Sequence, residues 1–145
     1  MTIRKVSLTG IFILAVFSLL RPVSAAVVDG LAQPYLHIQI ALANDSMDGV
    51  TDAARMIAAE ADTMGDPAKS IDIAARAVAG ASDINAARAA FGPLSDALIA
   101  YGEEVGFGDL KVAYCPMARK SWVQKDDQIL NPFYGSVMLS CGEFK

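Results

Sequence analysis

Between residues 84 and 105 the chain places an apolar residue at nearly every position that would face one side of an α-helix. The stripe consists of Ile84, Ala87, Phe91, Leu94, Leu98, Tyr101 and Val105. This spacing predicts an amphipathic helix that begins after an N-cap at Ser82 or Asp83. Pro93 lies inside the stripe, but the apolar phase continues on both sides, so we expect one kinked helix. Such a helix must cover its stripe with other apolar elements.

Three more helical segments precede this one. The first carries Leu31, Tyr35, Ile38 and Leu42 on one face, with Pro34 in its first turn and with His37, the single histidine, facing solvent. Asn44-Asp45-Ser46 supplies N-cap oxygens for a second helix, and Gly65-Asp66-Pro67 ends that helix and starts a third. Four helices with short connections predict a mainly α fold, a four-helix antiparallel bundle.

The C-terminal part differs in composition from the helical part. Residues 110–114 alternate as in a short strand, residues 131–135 have turn chemistry, and residues 137–139 suggest a second short strand. We find no linker or internal repeat in the sequence. The prediction is therefore a small C-terminal layer of loops and short strands, residues 109–145, packed on the bundle.

Residues 1–25 have the features of a secretory signal peptide. Arg4 and Lys5 precede a short apolar core, and Val23-Ser24-Ala25 is a small-residue cleavage site. Cleavage there predicts a mature single domain of residues 26–145 in the periplasm, without a membrane span. Loss of Arg4, Lys5 and Arg21 lowers the net charge from −4 to −7. This acidity argues against nucleic acid as a partner, because nucleic acid attracts basic surfaces.

The C-terminal layer holds both cysteines, each close to a methionine. Cys115 and Met117 would share one face of an extended strand, and a single turn would bring Met138 and Cys141 together. Thiolates and thioethers are soft ligands that select Cu(I), so these four sulfurs are candidate metal ligands. In an exported protein the two cysteines are equally suited to form one disulfide. From the residues alone both readings stay open, including a disulfide that opens to bind metal.

The same stretch resembles a bacterial domain family of unknown function. The motifs that carry the resemblance are Cys115-Pro116-Met117-Ala118, Trp122, Ile129-Leu130-Asn131-Pro132-Phe133-Tyr134-Gly135 and Met138-Leu139-Ser140-Cys141-Gly142, with Tyr35-Leu36, Ala41-Leu42-Ala43, Phe91 and Leu94-Ser95 upstream. The family includes small exported proteins and domains fused to CusB-like periplasmic adaptors of copper and silver efflux pumps. The resemblance implies a role in heavy-metal handling in the periplasm.

Together these features predict a periplasmic Cu(I) or Ag(I) binding protein or chaperone linked to metal efflux. Its expected cofactor is Cu(I), its ligands the four sulfurs, and its partner an efflux adaptor or another envelope protein. Trp122, Phe133 and Tyr134 would form an apolar cap that shields the site. The alternative is a disulfide-stapled protein-interaction module without metal. An enzyme is not expected, because the phosphate-loop, metalloprotease and serine-hydrolase motifs are missing from the sequence.

Overall fold

Four α-helices make up most of residues 23–145, the part of the chain that the computed structural model describes. Their bounds are α1 Val23–Ala43, α2 Val50–Met64, α3 Lys69–Ala79 and α4 Ile84–Val105. The fold is thus mainly α, as predicted. The proposed signal peptide, residues 1–25, lies almost entirely outside the described residues. None of the helices within residues 23–145 combines the length and the apolar character needed to cross a bilayer.

The helix ends agree only partly with the sequence prediction. Asp83 caps α4 as predicted, and its carboxylate accepts hydrogen bonds from the Asn85 and Ala86 amides at 2.9 Å. The placement of Pro34 in a first turn is wrong, because α1 already includes Val23 and contains Pro34 in its interior.

The predicted cap of the second helix is also wrong. The helix α2 begins after Gly49, which has a positive φ of 70° and no capping side chain. Ser46 instead accepts a hydrogen bond from the Asp48 amide at 3.0 Å. Asp45 has its own positive φ and is directed toward the C-terminal layer, as described below.

The core is formed by small and large apolar residues from all four helices and from the C-terminal layer. Tyr35 of α1 stacks on Phe91 of α4 with ring centroids 5.0 Å apart. The Tyr35 hydroxyl shares a 2.7 Å hydrogen bond with Ser95 and accepts another from the Val123 amide at 3.1 Å. Burial raises the pKa of the Tyr35 phenol, so it stays neutral in the interior. One hydroxyl thereby ties α1, α4 and the C-terminal layer together.

A three-stranded antiparallel sheet follows α4. Its strands are β1 Lys111–Cys115, β2 Lys120–Gln124 and β3 Glu143–Phe144, in the order β2-β1-β3. The predicted strand at 110–114 is confirmed as β1, shifted by one residue. The predicted strand at 137–139 is wrong, because Gly135–Val137 is a short 3-10 turn. The sequence does not predict the strand β2. Its last three residues are all buried, so apolar and polar positions do not alternate along it.

Candidate functional site at the disulfide

Cys115 and Cys141 form a disulfide at the junction of β1 and the C-terminal segment. Their Cα atoms are 5.7 Å apart and the residues are separated by 26 positions in the sequence. Cys115 is the last residue of β1 and is buried, whereas Cys141 is half-buried. The Ala118 amide donates a hydrogen bond to the Cys115 sulfur at 3.4 Å. The two cysteines of this bond therefore differ in burial, and a backbone amide donates a hydrogen bond to the Cys115 sulfur.

Asn131 organises the segment that ends at Cys141. Its side-chain oxygen accepts hydrogen bonds from the Phe133 and Tyr134 amides at 2.8 and 3.2 Å, as in the turn that the sequence predicts. Its side-chain nitrogen donates to the Cys141 carbonyl at 2.8 Å. Its own amide donates to the Leu139 carbonyl at 2.8 Å. Asn131 thus closes residues 131–141 into a loop, independently of the disulfide.

Gln124 organises the preceding loop, residues 125–130, through hydrogen bonds of its side-chain amide. This buried side chain accepts hydrogen bonds from the Trp122 indole at 2.8 Å and from the Leu130 amide at 3.2 Å. Its nitrogen donates to the Asp126 and Gln128 carbonyls at 3.0 and 2.7 Å. All four hydrogen-bonding positions of the amide are satisfied, so burial of this polar group is compatible with stability.

Arg88 and Asp45 fasten the loop of residues 131–141 to the helices. The Arg88 guanidinium donates to the Asp45 carboxylate at 2.6 Å, to the Leu42 carbonyl at 2.7 Å and to the Pro132 carbonyl at 2.9 Å. The other carboxylate oxygen of Asp45 accepts from the Ser136 amide at 3.0 Å. Hydrogen bonding to Ser136 and to Arg88 lowers the pKa of Asp45 from its ordinary 3.8 to about 2.

Gly135 permits this close approach. It has a positive φ of 57°, and a Cβ atom there would overlap the Asp45 carboxylate and the Arg88 guanidinium. Neither Arg88 nor Asp45 was recognised in the sequence as part of the site. They are separated by 43 residues, and the one local signal was the Asn-Asp-Ser turn sequence, which favours a helix cap equally well.

The three residues expected to shield a metal site differ in their burial and in their contacts. Trp122 is completely buried in the core. Phe133 contacts the Trp122 ring edge to face, with centroids 6.1 Å apart, and lies 5.8 Å below the Lys120 ammonium. The Tyr134 hydroxyl donates to the Met117 carbonyl at 3.4 Å, which links the β1–β2 turn to the loop of residues 131–141.

The four predicted sulfur ligands do not form a thiolate site in this form of the protein. Cys115 and Cys141 are bonded to each other, and a disulfide has no thiolate to offer a metal. Met117 is 64% exposed in the β1–β2 turn, and Met138 is half-buried. Across residues 30–145, whose side chains the structure describes, no three His, Cys, Asp or Glu side chains are grouped to hold an ion. The sulfur-ligand hypothesis therefore remains a prediction for the reduced protein.

Two apolar side chains close in sequence to the cysteines are strongly exposed. Met117 has 64% of its surface exposed, and Val137, in the short turn after Gly135, has 80%. Among the large apolar residues of the described chain these two have the highest exposure. The others above one third are Ile40, Met56, Ile73 and Phe144. We call Met117, Tyr134 and Val137 the disulfide face.

Comparison with known proteins adds no homology to this description. Neither a protein-family model, nor a curated protein, nor a solved structure matches the chain. The resemblance to the exported domain family stays a prediction.

Proposed function

We propose that the protein is an exported protein-interaction module of the cell envelope, stapled by its disulfide and carrying no metal in the oxidised form. The observation that carries this proposal is the disulfide face. Its two exposed apolar side chains, Met117 and Val137, lie on turns that several independent contacts hold in place. An exposed apolar side chain that the surrounding contacts hold in place is suited to docking a partner.

The rigidity of the disulfide face lowers the cost of binding. Met117 follows the disulfide-bonded Cys115 by two residues, and its carbonyl accepts a hydrogen bond from Tyr134. Val137 follows Ser136, whose amide is bonded to the Asp45 carboxylate. A surface that is already ordered loses little conformational entropy when a partner covers it.

The charge beside the disulfide face favours an acidic partner segment. The chain as a whole carries a net charge of −4. Next to Met117, however, the β1–β2 turn places the exposed cation Arg119, followed by Lys120. A partner that offers apolar side chains flanked by Asp or Glu would complement both features.

The helical part supports this surface rather than containing a site of its own. We infer that the four helices form an antiparallel bundle, since α1 packs on α2, α2 on α3, and α3 on α4, through short connections. Export by the predicted signal peptide is consistent with the disulfide, because disulfides persist in oxidising compartments such as the periplasm. In this proposal the bundle is a scaffold and the protein has no enzymatic role.

Charge substitution on the disulfide face tests the proposal. We expect Met117→Asp and Val137→Asp to remove the protein from any larger complex that it forms in envelope extracts, as measured by native gel mobility. Ile73→Asp is the matched control, because Ile73 is 61% exposed but lies on α3. Unchanged mobility of both variants, or an equal effect of Ile73→Asp, would contradict the proposal.

A second candidate is Cu(I) or Ag(I) binding by the reduced protein, with a link to metal efflux. The observation that favours it is the 5.7 Å separation of the two cysteine Cα atoms, which would keep both thiols together after reduction. Met117 adds an exposed thioether two residues from Cys115. Thiolates and thioethers are the ligand types that these soft ions prefer. This function requires a step that first opens the disulfide.

A further inference from the structure

We infer that Cys141 is the sulfur at which an external thiolate exchanges with this protein, and that Cys115 is the leaving sulfur. The structure thereby assigns a directional thiol–disulfide exchange site, whose reactant is a small thiol or the thiol of a protein oxidoreductase. This inference concerns a covalent reaction of the disulfide. It does not depend on whether the disulfide face binds a partner.

The first observation is the unequal burial of the two cysteines. Cys115 is the last residue of β1, the central strand of the sheet between β2 and β3, and it has no exposed surface. Cys141 is half-buried, and it follows Ser140, which is exposed. Exchange requires a thiolate to approach one sulfur along the direction of the S–S bond. An approach from solvent therefore reaches Cys141 first and directs the departing sulfur inward.

The second observation is the hydrogen bond at the inner sulfur. The Ala118 amide donates to the Cys115 sulfur at 3.4 Å in the disulfide-bonded form. A thiolate left at Cys115 would keep this donor and gain from its partial positive charge. A thiol that is stabilised as thiolate leaves faster from a disulfide. Accessibility and leaving-group stability thus favour the same direction.

The reaction balances without any further reactant. The incoming thiolate forms a bond to the Cys141 sulfur, the Cys115–Cys141 bond breaks, and its electron pair leaves with Cys115 as a thiolate. The product is a mixed disulfide at Cys141 and one thiolate at Cys115. In the reverse step the Cys115 thiolate attacks the Cys141 sulfur and releases the external thiolate.

The surrounding structure allows this exchange without unfolding. After the bond opens, Asn131 still holds the Cys141 carbonyl at 2.8 Å. The strand β3, which follows Cys141 in the chain, remains paired with β1. Beyond β3, the Lys145 amide donates to the Val112 carbonyl at 3.0 Å. Cys141 therefore stays close to Cys115, and the reverse step remains intramolecular.

Peptide mapping of the mixed disulfide tests the assignment in the unaltered protein. The oxidised protein is incubated with glutathione, quenched with acid and alkylated with N-ethylmaleimide before digestion. We expect glutathione on Cys141 and maleimide on Cys115, in an excess of about tenfold over the opposite pattern, equivalent to about 1.4 kcal/mol between the two barriers. The same protein in denaturant is the control, and there the preference should disappear.

A second arm distinguishes the two sources of thiolate. It uses a thiol–disulfide oxidoreductase whose resolving cysteine is replaced, so that the mixed disulfide is trapped. Attachment of either reagent at Cys141 supports the assignment, and the reagent that reacts at lower concentration identifies the source. Attachment at Cys115, an equal distribution in the folded protein, or no reaction with either reagent would overturn it.

Discussion

Arg88 and Asp45 form a 2.6 Å ion pair that joins α4 to the chain after α1. The same guanidinium also reaches the backbone at Leu42 and Pro132, so one side chain fastens two connections. We expect Arg88→Met to destabilise the protein by about 2 kcal/mol, because it leaves a carboxylate and two carbonyls without their charged donor. Urea unfolding of the oxidised protein measures this loss.

The control Arg55→Met removes an exposed pair within α2 and should change stability by less than about 0.5 kcal/mol. Similar effects of the two substitutions would contradict this role of Arg88.

Asp45 gives the protein a specific dependence on acid. Its pKa is lowered to about 2 in the folded state, so its contribution to stability is complete above its ordinary value of 3.8 and is lost as the pH falls toward 2. The stability difference between the wild type and Asp45→Asn should therefore shrink across this interval. Denaturant unfolding at a series of pH values measures it. The control Asp52→Asn alters an ion pair within α2. A constant difference between the wild type and Asp45→Asn would show that the carboxylate charge is not involved.

Removal of the disulfide should weaken the fold without abolishing it. The double variant Cys115→Ser, Cys141→Ser opens a loop of 26 residues. In the chain-entropy model this costs about 3.5 kcal/mol. The Asn131 and Gln124 hydrogen bonds remain, so the helical circular-dichroism signal at low temperature should be unchanged. Loss of that signal would mean that the disulfide is required for the helices to form.

The Tyr35 hydroxyl should matter more than its partner Ser95. Tyr35→Phe leaves both the Ser95 hydroxyl and the Val123 amide without a partner in the core, and we expect a loss of about 2 kcal/mol. Ser95→Ala removes one hydrogen bond and leaves the Val123 contact in place, so its effect should be smaller. Thermal unfolding of the two variants shows which substitution causes the larger loss of stability. A larger effect of Ser95→Ala would contradict the central role of the Tyr35 hydroxyl.

The copper prediction concerns the reduced protein. Reduced wild type is expected to bind one Cu(I) in competition with a chromogenic Cu(I) chelator, and the oxidised protein is not, because it has no free thiolate. Replacement of Met117 and Met138 by Leu should abolish binding with little loss of stability. Unchanged Cu(I) affinity of that variant would exclude the methionines as ligands.

The sequence predicted the elements whose signal is local. The stripe from Ile84 to Val105 and the cap at Asp83 depend on residues within a few turns of each other, and both predictions are confirmed. The sequence does not predict the strand β2, because two local signals are missing. Trp122, Val123 and Gln124 are all buried, so the strand does not alternate, and the preceding turn contains no glycine.

The contacts that position the candidate site arise between distant residues. Arg88 meets Asp45 across 43 positions, and Gln39 meets Leu130 across 91. No periodicity encodes such pairs, so the sequence could indicate the cysteines but not the arrangement that holds them. From the sequence, a disulfide and a metal site were equally compatible with the two cysteines. The structure shows that their sulfurs are bonded to each other.

Photo-crosslinking in the cells that produce the protein is the decisive test of whether the disulfide face docks a partner. A benzoylphenylalanine residue at position 137 or 117 samples the disulfide face, and one at position 73 samples a comparably exposed site on α3. We predict a cross-linked product of one discrete mass from positions 137 and 117, absent from position 73 and weakened when both cysteines are replaced by serine. The absence of a product from positions 137 and 117, or the same product from position 73, would contradict the account.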